Sequence, residues 1–228
     1  MKIIHICPTC LVEKVDKHYN KGLNMVLTHL VLSNEKYREA FKAIPGVKYL
    51  DNSFFELGYA LPPEDIIKAA KMVDATVLIC PDGTRDGMEM FKKEGYQVMC
   101  IPKSPEQFKE FMFDEEIDYV GVSEEHLDYR HSPSARYEMF RDTITDDMPR
   151  KKIHILGATD SIWEYGMLSP FKEFICSIDT SAAIWQGHLG NMLRTMRRKD
   201  CTSVDFDAEV ELNLITAENI KFMEELVK

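Results

Sequence analysis

Apolar and β-branched residues gather in eight short runs along the chain: KIIHI (2–6), MVLTHLVL (25–32), VKYL (47–50), ATVLIC (75–80), YQVMCI (96–101), DYVGV (118–122), KIHIL (152–156) and EFICSI (173–178). The longer stretches between them carry helix signals. Ser104-Pro105-Glu106-Gln107 reads as a capping box with proline at the first helical position. Pro62-Pro63-Glu64-Asp65 opens the apolar spacing Ile66, Ile67, Ala70, Met72, Val73. Runs that are apolar throughout, rather than alternating, mark parallel strands buried on both faces, with helices as right-handed crossovers. Eight such units predict an α/β fold, a (β/α)8 TIM barrel, and 228 residues make it a compact one. An open doubly wound sheet would show a glycine-rich first βα turn, whereas the first turn here is CPTC (7–10). With no repeat, low-complexity tract or linker, residues 1–228 read as a single domain.

Barrels carry their chemistry where the strands end. The residues at or just past the eight runs are Cys7, Ser33, Asp51, Asp82, Lys103, Ser123, Asp160 and Asp179. Asp51, Asp82 and Asp179 therefore face one another across one mouth, and paired carboxylates are the tools of glycosidic-bond chemistry. Asp51 also opens an unusual turn: LDNSFFELG (50–58) stops a strand on an acid and passes directly over two phenylalanines.

Composition narrows the setting. The formal charge of −10 argues against a protein that coats nucleic acid without selectivity, but RTMRRK (194–199) offers a local basic face in Arg194, Arg197, Arg198 and Lys199. Arg130, His131 and Arg136 form a weaker second patch. Six cysteines in a chain of this length read as reduced thiols of a cytoplasmic protein. The apolar runs are too short to span a bilayer, so no membrane partner is expected. Cys7 and Cys10 lack a second CxxC to complete a tetrahedral zinc site and read as incidental rim cysteines. Trp163 and Trp185 read as core packing, and His29 as a core or rim histidine bonded to backbone.

Taken in order, the strand-end segments resemble the tRNA-guanine transglycosylase superfamily, and within it the phage and bacterial 7-deazaguanine DNA transglycosylases of the DpdA type. LDNSFFELG is similar to that branch's aspartate-led turn into a phenylalanine. THLVLSNEKYREAF (28–41) resembles the second βα unit of its small phage members. LICPDG (78–83), CIPKS (100–104), VGVS (120–123), HILGATD (154–160) and SIDTS (177–181) follow at the expected strand ends. The match runs to about residue 185, and its weight lies in the order of the segments.

The resemblance implies that Asp179 is the nucleophile, attacking C1′ of a guanosine and forming a covalent glycosyl-enzyme, and that Asp51 is the second acid. Asp82 would accept from the guanine edge, Gly121 and Gly157 would line the pocket, and Phe54 and Phe55 would stack on the base. Lys103 stands where the family usually places a glutamine, so the incoming base is open to change. The tRNA enzymes carry a C-terminal zinc module. Here Cys176, Cys201 and His188 lack its spacing, so no cofactor and no zinc is expected, which favours DNA over tRNA. The implied partners are DNA and a free 7-deazaguanine base such as 7-cyano-7-deazaguanine, in a bacterial or phage-infected cell, with a homodimer possible. A tRNA-directed enzyme, a base hydrolase and a non-catalytic nucleic-acid-binding subunit remain as alternatives.

Overall fold

Eight parallel strands form one sheet in a computed structural model that describes residues 1–123, 134–158, 162–195 and 204–228. They are β1 (Lys2–His5), β2 (Leu23–Leu27), β3 (Val47–Asp51), β4 (Val77–Ile79), β5 (Gln97–Cys100), β6 (Tyr119–Val122), β7 (Lys152–Ile155) and β8 (Ile175–Thr180). The ladder runs β1-β8-β7-β6-β5-β4-β3-β2, so the sheet curls into a barrel whose one unlatched seam lies between β1 and β2. The helices are α1 (Val12–Val15), α2 (Thr28–Ser33), α3 (Glu35–Ala43), α4 (Phe54–Leu57), α5 (Pro63–Val73), α6 (Met88–Lys93), α7 (Pro105–Phe113), α8 (Ala135–Thr143), α9 (Ile162–Leu168), α10 (Ala182–His188) and α11 (Leu214–Leu226). This is the TIM-barrel architecture that the eight runs predict.

The second run is the correction. Only its first three residues are strand, β2 begins earlier at Leu23, and THLVL belongs to α2. Ser33 therefore ends a helix and not a strand. The Leu27 N–H donates to the Tyr37 hydroxyl at 3.0 Å, and the chain turns out of the sheet at Thr28. Thr28 and Val31 are buried at helical spacing.

The seam between β1 and β2 is stitched by side chains. Asn20 Oδ1 accepts from the His5 N–H at 2.8 Å, and Asn20 Nδ2 donates to the His5 carbonyl at 3.1 Å. One amide side chain thus does for β1 what a neighbouring strand's peptide would do. Asn20 Nδ2 also donates to Asn24 Oδ1 at 2.9 Å, which carries the link onto β2. Asn24 in turn donates to Asp16 Oδ1 at 2.7 Å, and the Gly22 N–H reaches the same oxygen at 2.9 Å.

Two apolar layers hold the barrel. The outer one lies between strands and helices and includes Leu50, Ile66, Leu78, Phe91, Phe108, Phe140 and Ile178. The inner one fills the barrel with Ile4, Met25, Tyr49, Val77, Ile79, Met99, Ile101 and Tyr119. Beyond β8, α11 docks on α10 so closely that a Cβ on Gly187 would lie 2.6 Å from the Thr216 Cα. Among the described residues no helix is long and apolar enough to cross a membrane.

Candidate active site

The turn after β3 shows why the strand ends on an acid. Asp51 Oδ2 accepts from the Ser53 N–H at 2.7 Å, which bends the chain back and holds Ser53 at a left-handed φ of 62°. Asn52 is buried beneath it. Its Oδ1 accepts from the Phe54 N–H at 2.9 Å, and its Nδ2 donates to the Cys80 carbonyl at 2.7 Å and to Asp82 Oδ1 at 3.0 Å. Ser53 Oγ accepts from the His29 N–H at 3.1 Å and lies 2.9 Å from His29 Nδ1. His29 thus pairs through a side chain as well as through its backbone, and partial burial lowers its imidazole from the usual range. The turn is fixed from both neighbouring strand ends, and Asp51 and Asp82 are fixed through it.

Lost hydration pushes the Asp51 carboxyl well above the usual carboxylate range, and Glu56 adds to the effect. Asp82 and Asp179 push the same way, against the opposing Ser53 N–H bond. A carboxyl so raised keeps its proton into the pH range where ordinary acids have lost theirs, as a general acid must. Glu56 is the acid that the strand-end rule misses, because it sits in the first turn of α4. Reduced hydration raises its carboxyl too, and Asp179 contributes.

The β4 and β5 ends meet beside this turn. The Lys103 N–H donates to Gln107 Oε1 at 2.7 Å, and Gln107 Nε2 donates to the Gly83 carbonyl at 2.8 Å. The capping box is therefore half as predicted. Ser104 Oγ does accept from the Gln107 N–H at 3.2 Å, but the glutamine side chain reaches past Ser104 to latch Lys103 onto the Asp82 loop. The Lys103 stem lies where a Gly83 side chain would be, within 2.8 Å of an added Cβ. Its ammonium sits 5.0 Å from the centre of the Phe54 ring. Asp82, Lys103 and Phe54 are thus brought together on one side of the mouth. Phe55 points outward and is 73% exposed.

Asp179 lies on the opposite side, inside β8 rather than beyond it, and is 4% exposed. Its Oδ1 accepts from the Gly157 N–H at 3.1 Å and lies 3.0 Å from His154 Nε2. Two nitrogens, one of them a backbone N–H, thus meet on one oxygen of Asp179. Gly157 adopts φ +57°, and a Cβ there would meet nothing within 4 Å, so this loop borders open space. Gly121 differs: its Cβ would meet Leu156, Met99 and Ile101 at 3.0–3.1 Å, which places it in the barrel floor.

Arg136 is a second correction. Instead of a phosphate-facing patch, it is buried and ion-paired with Glu164. It also donates to the Leu156 carbonyl at 2.6 Å and the Gly157 carbonyl at 3.3 Å, so it anchors the loop whose N–H meets Asp179. Trp163 is a third: it is 73% exposed and packs in no core. Trp185 is partly buried against His188. Arg194 is exposed and pairs with Glu225 at 3.1 Å over the Phe222 ring. Arg197, Arg198, Lys199, Asp160, Arg130, His131 and Cys201 lie outside the described residues. Cys7 is buried, and lost hydration raises its thiol. Cys10 is exposed, with its Sγ 3.4 Å from the Ala208 carbonyl. Among the described residues no three His, Cys, Asp or Glu side chains are grouped to hold a metal.

The fold and this mouth define a TIM barrel with an acid-lined C-terminal rim. Neither a family model nor a curated protein matches the chain. Solved structures do. The tryptophan synthase A-subunit of Pyrococcus furiosus superposes with a TM-score of 0.57 at 14% identity, over 99% of this chain and 97% of that one. The Amycolatopsis orientalis BexX/CysO complex gives 0.56 at 13%, over 99% and 89%. A monomeric phosphoribosylanthranilate isomerase from Thermotoga maritima gives 0.50 at 12%, over 97% of each chain. These likenesses carry the barrel and not the chemistry.

Proposed function

We propose that the protein is a DNA base-exchange transglycosylase that replaces guanine with a 7-deazaguanine derivative. The observation that carries this reading is the division of labour between two acids at one mouth. Asp179 is held by two nitrogens on one oxygen, and Asp51 has its carboxyl raised by lost hydration and by its acidic neighbours. That pairing suits a nucleophile and a general acid working on a glycosidic bond. The resemblance of the ordered strand-end segments to 7-deazaguanine DNA transglycosylases supplies the substrate class.

In this scheme an Asp179 oxygen attacks C1′, and the C1′–N9 bond breaks with its electron pair going to the leaving guanine. Asp51 delivers the proton that guanine needs. The incoming 7-deazaguanine then gives a proton back to Asp51, and its N9 displaces the Asp179 carboxylate from C1′. Asp82 accepts from the N1–H and 2-amino donors of the base, a donor pair specific to guanine-like edges. Phe54 offers a face for stacking, and Lys103 above it faces the substituent that distinguishes one deazaguanine from another. The target nucleotide must leave the helix stack to reach a barrel mouth.

The test is mass spectrometry of nucleosides from single-stranded DNA, duplex DNA and tRNA, each incubated with the protein and labelled 7-deazaguanines. Label in DNA that is lost in Asp179→Asn is the expected result. Label in tRNA alone overturns the DNA assignment, and base release without incorporation shows a hydrolase instead.

A further inference from the structure

A line of polar groups threads the apolar barrel from its bottom to Asp179. It starts at the exposed end of β7, where Lys152 Nζ lies 3.2 Å from the Tyr119 hydroxyl and 4.8 Å from its ring centre. Tyr119 packs edge-on against Tyr49, with ring centres 5.3 Å apart. The Tyr49 hydroxyl lies 3.5 Å from Ser177 Oγ, and its ring stands edge-on to His154 at 5.1 Å. Ser177 Oγ is 2.8 Å from His154 Nδ1, and His154 Nε2 is 3.0 Å from Asp179 Oδ1. Tyr49, Ser177 and His154 are all buried.

The Asp179 end of this line gives it a direction. A carboxylate only accepts. Asp179 Oδ1 therefore requires the proton of its histidine neighbour on Nε2. A neutral imidazole protonated there leaves Nδ1 as an acceptor, so the Ser177 hydroxyl must donate to it. Ser177 Oγ is then free to accept from the Tyr49 hydroxyl. Cys176 does not break the sequence, because its Sγ donates to the Ile153 carbonyl at 3.1 Å and offers Ser177, 3.4 Å away, a weak acceptor at most. From Tyr49 onward, each donor points towards Asp179.

We propose that His154 is the positioning residue of Asp179, locked as its Nε2–H tautomer by Ser177 and Tyr49. Its bond and that of the Gly157 N–H both fall on Oδ1. Oδ2 carries no hydrogen bond from the described residues and is the oxygen presented for attack. The proposal rests on Asp179 as nucleophile, but the tautomer and its cause stand on the barrel interior alone. A carboxylate swinging about its last torsion would exchange the two oxygens, and His154 holds it in one setting.

Long-range proton–nitrogen correlation spectra of the full chain with nitrogen-15 histidine test the lock without any substrate. The His154 signals are assigned by their loss in His154→Gln. The expected result at neutral pH is a protonated Nε2 and a bare Nδ1, with Nδ1 shifting in Ser177→Ala and, less, in Tyr49→Phe. A protonated Nδ1, or an Nδ1 indifferent to both substitutions, overturns the proposal. In turnover, His154→Gln should slow covalent-adduct formation about a hundredfold while base affinity holds. Equal loss of both would make His154 merely structural. Wild-type protein that shows the expected tautomer but transfers no base leaves the lock standing and overturns the transglycosylase reading instead.

Discussion

Asp51 is held in a state that the unfolded chain does not share. Lost hydration and the acids Glu56, Asp82 and Asp179 raise its carboxyl, so the folded protein keeps a proton that the unfolded chain releases at ordinary carboxylate pH. As pH rises from about 4, the unfolded state ionises first, and unfolding gains what the fold withholds until the raised value is passed. Asp51 therefore costs stability at neutral pH and costs little in acid. Asp51→Asn keeps an oxygen for the Ser53 N–H and removes the charge. It should stabilise the protein by about 1 kcal/mol at pH 7 in urea titrations, with the advantage fading towards pH 4, while base exchange is lost. A variant less stable than wild type at pH 7 would contradict this account. The strand-end rule finds Asp51, Asp82 and Asp179 because each sits at or near the end of an apolar run. It cannot find His154, whose partner is 25 residues away on the next strand, or Glu56, which belongs to a helix. A histidine inside an apolar strand, in register with Ser177 on its neighbour, is a signal that appears only once strand pairing is known.

At the level of elements, the seam between β1 and β2 is where the barrel differs from its sequence pattern. The strand count is legible because buried parallel strands read as unbroken apolar runs. The extent of β2 is not, because a helix buried at Thr28 and Val31 continues the same run, and eight residues carry too little periodicity to separate the two. Nor is the Asn20 stitch, which is made of polar residues in a turn. His5 belongs to that stitch through its backbone, while its ring is buried with both nitrogens unpartnered. Burial lowers its imidazole to about 4. The unfolded chain takes up a proton near 6.5 that the fold refuses, so this residue's contribution is full above about 6.5 and drains away as pH falls to about 4. The loss amounts to roughly 3 kcal/mol by that point. His5→Phe should remove this acid sensitivity, and chemical denaturation at pH 7 and pH 4.5 should show the gap between variant and wild type shifting in favour of the variant in acid. A parallel pH dependence of the two proteins would place the sensitivity elsewhere.

At the scale of the whole molecule, a formal charge of −10 must be reconciled with the polyanionic partner that the proposed reaction requires. The acids of the proposed chemistry crowd the mouth that DNA would reach in that scheme, so the scheme needs cations to bring the backbone there. Arg194 is a poor one on its own, because Glu225 at 3.1 Å cancels most of its field. Arg136, which the sequence pattern also offers, is committed to Glu164 and the β7 loop carbonyls inside the barrel wall. Of the basic run, Arg197, Arg198 and Lys199 remain, outside the described residues like Arg130 and His131 of the weaker patch. Each phosphate contact contributes close to one unit to the slope of log affinity against log salt, slightly less on single strands. Arg197→Gln with Arg198→Gln should therefore flatten that slope by about two and weaken DNA binding to nearly the same degree on every sequence, with the choice of base unchanged. Arg194→Gln, which leaves Glu225 uncancelled, should weaken binding modestly and move the slope by less than about one. Fluorescence anisotropy with one labelled oligonucleotide across a salt series distinguishes the two. A slope unmoved by the double substitution would mean that the DNA backbone approaches another face of the barrel.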